Sequence, residues 1–249
     1  MTTRTILITG AGSGFGLGAA RRLHALGHRV IGGVVSAEQA ALLKAEGIES
    51  LPLDITDPDQ IAALAGLDID VLLNNAGRGQ LGPLATVPFD KVREVFEVNV
   101  FGTLQVTRAV IPAMQRKRAG RIIIVSSIAG LFSGQLTGPY SMTKHALEAM
   151  TRSLRAELEG YGIEVCKLNP GPYATGFNDQ MVDGVDSLVE PGSAESEMAA
   201  GTRQRMLGNQ LDPVDVIDAM VALCTEPDVP YETFKPDNIL ERYGVQRPG

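Results

Sequence analysis

Tyr140 and Lys144, in Tyr140-Ser141-Met142-Thr143-Lys144, stand four residues apart in a stretch with a helical pattern. On a helix that spacing puts both side chains on one face, close enough to interact. A phenol with an ordinary pKa of about 10 is a poor base near neutrality, and a nearby ammonium favours its phenolate. The pair is therefore a candidate proton donor and acceptor for carbonyl reduction or alcohol oxidation. A second chemical signal comes early in the chain. Thr9-Gly10-Ala11-Gly12-Ser13-Gly14-Phe15-Gly16 follows a strand-like run and opens a helical pattern. Glycines there let backbone approach a pyrophosphate, and the helix start offers N–H donors and a positive dipole end. Proton transfer beside a dinucleotide is the chemistry these two clusters suggest.

Both clusters need a scaffold, and the apolar runs supply one. Residues 5–9, 29–35, 48–53, 70–74, 121–126 and 163–168 read as strands, several of them apolar almost throughout, as expected of parallel strands covered on both faces. Amphipathic segments at 15–26, 37–45, 58–65, 89–117 and 140–159 alternate with them, and 213–225 resumes as a helix. The alternation predicts a single doubly wound, Rossmann-type parallel sheet with helices on both faces, spanning 1–249 as one domain. Residues 169–209 are rich in Gly, Pro, Asp and Ser and weakly periodic, so about 170–209 is expected to form a substrate lid. Phe177, Met181, Leu188 and Met206 within it hint at an apolar ligand. The tail 226–249 reads as irregular, with at most one short strand around 231–234.

Taken together, these motifs resemble the short-chain dehydrogenase/reductase family from about residue 5 to 175, more loosely to about 225. The glycine turn has that family's T-G-x-x-x-G-x-G spacing, Asn74-Asn75-Ala76-Gly77 matches its N-N-A-G, and Pro170-Gly171-Pro172-Tyr173-Ala174-Thr175 matches its P-G-x-x-x-T. The resemblance implies a nicotinamide dinucleotide held by Gly10, Ser13, Phe15 and Gly16, and by Asp54 and Ile55 near the adenine. Asn75, Ala76 and Gly77 would lie at the adenosine ribose, with Pro170, Gly171 and Thr175 at the nicotinamide. It implies a catalytic set of Asn99, Ser127, Tyr140 and Lys144, the last two also touching the cofactor. Ser127 would hydrogen-bond the substrate oxygen as an oxyanion donor does, and Ser126 would be a strand or cofactor contact. An Asn in mid-helix is locally unfavourable, so Asn99 suggests a kink that holds a water linked to Lys144.

Cofactor choice in such folds is set at the end of the second strand. Gly32-Gly33-Val34-Val35-Ser36 carries neither acid nor base there, and Val34 is expected near the adenosine 2′ position. The cofactor is thus NAD(P) with a slight lean to NADP. Residues 242–249 lack the glycine-rich final strand of many relatives; a homodimer through helices 89–117 and 140–159 is expected instead of a tetramer.

Composition narrows the partners. With 22 Lys+Arg against 29 Asp+Glu the formal charge is −7, which argues against nucleic acid or an anionic membrane surface. Cys166 and Cys224 form no CxxC pair and read as idle thiols in a reducing cytoplasm. His24, His28 and His145 have no metal-ligand spacing, so no metal is expected. No cleavable leader or membrane-spanning run is legible, and a cytoplasmic location is expected. Two other functions compete: a non-catalytic dinucleotide sensor, and a lyase or dehalogenase on the same fold. Retention of Asn99, Ser127, Tyr140 and Lys144 counts against the sensor. The intact Lys144 and nicotinamide site count against the lyase or dehalogenase.

Overall fold

The computed structural model describes residues 2–246; the end of the expected tail, 247–249, and Met1 lie outside the described residues. Seven parallel strands form one sheet in the order β3-β2-β1-β4-β5-β6-β7. They are β1 (Thr5–Thr9), β2 (Arg29–Val34), β3 (Glu49–Pro52), β4 (Val71–Asn74), β5 (Gly120–Val125), β6 (Ile163–Pro170) and β7 (Glu232–Lys235). Six match the sequence expectation within two residues at each end. The seventh is the short strand anticipated near 231–234, and it pairs with β6 through Lys167↔Glu232 and Asn169↔Phe234.

Alternate residues of each strand feed two cores. Ile6, Ile8, Ile123 and Val125 pack with α1 (Gly14–Ala25) and α9 (Val214–Thr225) on one face. Leu7, Leu72, Ile122 and Ile124 pack with α5 (Thr103–Lys117) and α6 (Gly138–Leu158) on the other. With both faces covered, a strand loses the polar alternation of a half-exposed sheet. Strand order reverses between β1 and β4, and this switch point opens a crevice at the carboxyl ends of the strands.

The remaining helices are α2 (Ala37–Ala45), α3 (Pro58–Ala62), α4 (Phe89–Phe96), α7 (Phe177–Asp183), α8 (Ala194–Leu207) and α10 (Ile239–Tyr243). Ser36 caps α2 by accepting from the Gln39 amide at 3.3 Å, and Asp57 caps α3 by accepting from Asp59 and Gln60.

Three expectations are corrected. The long helix 89–117 is broken: α4 and α5 are joined by a π-helical segment, Glu97–Gly102, centred on Asn99. The segment 170–209, expected as a weakly periodic lid, is largely helical, because α7 and α8 occupy most of it. The tail is not irregular throughout, since α10 follows β7. Among the described residues no helix is long and apolar enough to cross a membrane.

Candidate active site

The glycine turn leaves β1 at the switch point and enters α1. Gly10 holds φ +66°, a left-handed conformation that costs an ordinary side chain strain. A Cβ on Gly16 would fall 2.3 Å from the Gly10 carbonyl, so helix and strand meet too closely for a larger residue. Ser13 takes the N-cap position in extended backbone, yet its hydroxyl makes no capping bond and stays exposed. The first amides of α1 have no partner within the helix and face the position an anion would take. The Phe15 ring turns away to pack edge-on against Tyr173, 5.6 Å between centroids, so its backbone amide is what it offers a phosphate.

Asn75 clamps this turn. Its side-chain amide donates to the carbonyls of Thr9 (3.0 Å) and Gly10 (3.2 Å), and the Thr9 hydroxyl accepts from the backbone amides of Asn75 and Ala76, both at 3.0 Å. Gly77 lies beside the Asn99 side-chain amide oxygen. Asp54 sits exposed beyond β3, accepting from the Thr56 amide and hydroxyl, while Ile55 next to it is buried in the core.

Val34 is placed differently from expectation. It is 2% exposed with its side chain in the core, whereas Val35 is 70% exposed. The groups open at the end of β2 are therefore Val35, Ser36 and Gln39. The Gln39 side-chain oxygen accepts from the Val35 amide at 3.1 Å, and its side chain lies across Gly12.

Across the crevice, β5 ends and Ser127 caps a short 3₁₀ turn, Ile128–Gly130, accepting from the Ala129 amide at 3.1 Å. Tyr140 lies in the first turn of α6 with its phenol within reach of Ser127. The Lys144 ammonium is 5.6 Å from the Tyr140 ring centre and donates to the Val125 carbonyl at 2.9 Å. Asn99 is 1% exposed: its oxygen accepts from the Arg78 amide (2.7 Å), and its NH₂ donates to the Arg78 carbonyl (2.8 Å) and to Thr143 (3.0 Å). Thr143 in turn donates to the Tyr140 carbonyl at 2.7 Å, so Asn99 reaches the first turn of α6 through two hydrogen bonds. The kink read from Asn99 is present as the π-helical segment; its amide meets Arg78 and Thr143. Ser126 turns inward, donating to Glu148 at 2.6 Å, which makes it an internal contact rather than a cofactor contact.

Burial dominates the electrostatics. It raises the Tyr140 phenol above its ordinary value, with the Ser127 hydrogen bond opposing the rise. It pushes the Lys144 ammonium down to about 8, against the negative charge of Glu148, which pulls the other way. The two shifts move apart, because burial favours the neutral form of each group: the protonated phenol and the uncharged amine. The free thiols Cys166 and Cys224 are buried, and burial pushes Cys166 up to about 12.

Pro170 ends β6, and its carbonyl accepts from the Ser127 hydroxyl at 3.4 Å. Gly171 is tied to β7 through its amide and the Lys235 carbonyl, 2.8 Å. Thr175 packs against Gly14, which brings the P-G-x-x-x-T loop over the glycine turn. Over Tyr140 lies an apolar cluster of Leu81, Leu136, Met181, Val182, Val185 and Ala199, with Phe177 5.8 Å from the phenol ring centre.

The residues that sequence reasoning left without a role are mostly polar groups acting across elements: Arg78, Thr143, Glu148, Lys167 and Asn169. Thr143 lay inside the Y-x-x-x-K motif, but a helix reading cannot say which neighbour faces Asn99. No group of His, Cys, Asp and Glu suited to a metal occurs among the described residues.

A family model described as short chain dehydrogenase matches residues 4–186. The chain is 35% identical over 185 residues to uncharacterized oxidoreductase YbbO of Escherichia coli K12, covering 72% of this chain and 69% of that protein. It is 36% identical to 1-deoxy-11-beta-hydroxypentalenate dehydrogenase of Streptomyces exfoliatus, covering 84% and 81%. Among solved structures, a short-chain dehydrogenase from Streptomyces avermitilis superimposes with a TM-score of 0.83 at 31% identity, covering 98% of this chain and 92% of that one. A short-chain dehydrogenase from Burkholderia cenocepacia in complex with NADP gives 0.75 at 28%, covering 93% and 87%. One from Burkholderia phymatum in complex with NAD gives 0.81 at 27%, covering 97% and 92%. With its sheet, its glycine turn and its matched residues in agreement, this chain belongs to the short-chain dehydrogenase/reductase family of oxidoreductases.

Proposed function

We propose that the enzyme interconverts a secondary alcohol and a ketone by hydride transfer, with Tyr140 as the proton donor and acceptor. The observation that carries this reading is the buried Tyr140 phenol set against Ser127, with Lys144 on the same helix face. A nicotinamide dinucleotide, when bound, supplies or removes the hydride. The crevice suits such a group: the left-handed Gly10, the side-chain-free approach at Gly16 and the open amides of α1 leave backbone donors for a pyrophosphate. Gly10, Ser13, Phe15 and Gly16 would hold the phosphates, Asp54 and Ile55 the adenine, and Asn75, Ala76 and Gly77 the ribose. Pro170, Gly171 and Thr175, with Tyr140 and Lys144, would hold the nicotinamide end.

In the reducing direction Tyr140 gives its proton to the substrate oxygen, and Ser127 donates a hydrogen bond to that oxygen as charge builds on it. The Lys144 ammonium then stabilises the Tyr140 phenolate. In the oxidising direction the same phenolate takes the hydroxyl proton. Asn99 holds the start of α6 through Thr143, which keeps the phenol aimed. The lid over Tyr140 is apolar, which supports an apolar substrate, and one relative is named for a hydroxylated substrate.

The absence of a carboxylate at the end of β2 and the donors on Ser36 and Gln39 support a slight preference for NADP. Exposed Phe89 and Phe101 on the α4–α5 side support a homodimer there, which sedimentation of the free protein tests. The central test is turnover of NADPH and NADH over secondary alcohols, ketones, acyl thioesters and steroids, compared between wild type and Tyr140→Phe. Turnover retained in Tyr140→Phe overturns the assigned mechanism.

A further inference from the structure

Behind the catalytic pair, away from the crevice, lies a buried cluster that the mechanism above does not use. Glu148 is one helical turn beyond Lys144 on α6 and only 2% exposed. Its Oε1 accepts from the Ser126 hydroxyl (2.6 Å) and the Asn169 amide (2.7 Å), and its Oε2 is paired with Lys167. Three donors thus converge on its two oxygens. Lys167, fully buried, also pairs with Glu232 on β7 at 2.7 Å. The Asn169 NH₂ reaches the Ser127 carbonyl as well, at 3.1 Å.

We propose that Glu148 is a positioning residue for the Tyr140–Lys144 pair, presenting a fixed negative charge that keeps the Lys144 ammonium charged and, through Asn169, fixing the backbone of Ser127. The cluster ties together β5, α6, β6 and β7, the elements that carry or back the catalytic groups. Every charged or titratable group facing it from those elements can be named. Lys144 lies on α6, where Arg155 stacks on the Tyr231 ring at 4.4 Å and Arg152 also acts on Tyr231. Lys167 comes from β6, its ammonium 5.1 Å from that same ring, and Glu232 and Tyr231 come from the β7 side.

One purely structural use of a buried ion pair is to hold strands together, and Lys167–Glu232 does that alone. Glu148 differs because it sits at i+4 from Lys144, where opposite charges on a helix attract. Burial lowers the Lys144 ammonium, and the Glu148 charge acts in the opposite direction. A charge so placed has a consequence for chemistry: Lys144 can support a phenolate only while it is an ammonium.

The test is a pH titration of the free full-length protein by NMR, with ¹³Cε-labelled lysine reporting on six lysines and the Lys144 signal assigned through Lys144→Arg. In Glu148→Gln the Lys144 midpoint is expected to fall by about one pH unit, and in Glu148→Asp to stay near wild type. Where Glu148→Gln fails to fold, Glu148→Gln/Lys167→Met removes the pair together, and a smaller fall in the same direction is expected. A Lys144 midpoint unchanged in a folded variant lacking the Glu148 charge overturns the proposal, because a merely structural role predicts no shift. The functional consequence rests on the reading of Tyr140 and Lys144 given above, and the two fail separately. Turnover retained in Tyr140→Phe would remove that reading without touching the NMR result. An unmoved midpoint would remove Glu148's role and leave Tyr140 in place.

Discussion

On the sheet side of the crevice Asn99, Lys144, Ser127 and Asn75 are each tied to backbone by hydrogen bonds. Asn99 grips the Arg78 peptide, Lys144 the Val125 carbonyl, Ser127 the Ala129 amide and Asn75 the glycine turn. On the lid side, Phe177, Met181, Val182 and Met206 meet Tyr140 and its neighbours through apolar contact. Hydrogen bonds are directional and fix geometry to a few tenths of an ångström, whereas apolar contact is non-directional and can be re-made against another surface. In the proposed mechanism the side that aims a proton is built from the first kind, and the side that admits and encloses substrate from the second.

The largest expected effect breaks the sheet side at its centre. Tyr140→Phe keeps the ring that packs against Phe177 and removes only the proton, so kcat should fall about a thousandfold with little change in dinucleotide binding or thermal midpoint. Retention of more than a tenth of wild-type kcat would show that aim on this side is not what drives the reaction.

The next effect extends the comparison to the open end of β2, where charges can be added without disturbing either side. Val35→Arg, at the exposed position, should raise the NADPH/NADH ratio of kcat/KM about ten- to a hundredfold, and Val35→Asp should lower it similarly. If neither moves the ratio, Val35 does not face the adenosine ribose.

A smaller effect follows from Lys144 itself. Its folded value is depressed to about 8 by burial, so the ammonium is held below that pH and lost above it. Ketone reduction should therefore lose kcat/KM above about pH 8, approaching tenfold per pH unit, because a neutral Lys144 cannot support the phenolate left on Tyr140. A profile flat to pH 10 would separate Lys144 from the chemistry.

The smallest effect probes the lid. If α7 and α8 part from Tyr140 to admit substrate, limited proteolysis between Gly176 and Gly208 should slow several-fold when NADPH and a ketone substrate are both present. Equal cleavage rates would mean that the lid side is as fixed as the sheet side, and the contrast would go with it.

Some of this was legible from short-range pattern alone. Apolar runs gave six of seven strands, and local turn chemistry gave the caps at Ser36 and Asp57. The helix α8 was not legible because only Ala199 and Thr202 are buried along it, so no apolar stripe marks its period. The end of β2 was misplaced by one residue for a related reason. Val30, Ile31 and Val34 are all buried because both faces of an interior parallel strand are covered. With no alternation to read, a one-residue slip exchanges the buried and exposed faces of the strand end.

By itself the sequence determined the sheet and the helix that carries Tyr140 and Lys144, because strand burial, helical spacing and glycine turns are written within a few residues of each other. It also placed the glycine turn after the first strand, where α1 opens toward an anion. Only the tertiary structure decided that Asn99 would meet Thr143, that Ser126 would turn inward, and that Glu148 would be joined by Lys167 and Asn169 behind the catalytic pair. Those partners stand between 19 and 44 residues apart in the chain. No local period links such positions; they meet because parallel strands and their crossover helices bring distant segments to the same end of one sheet.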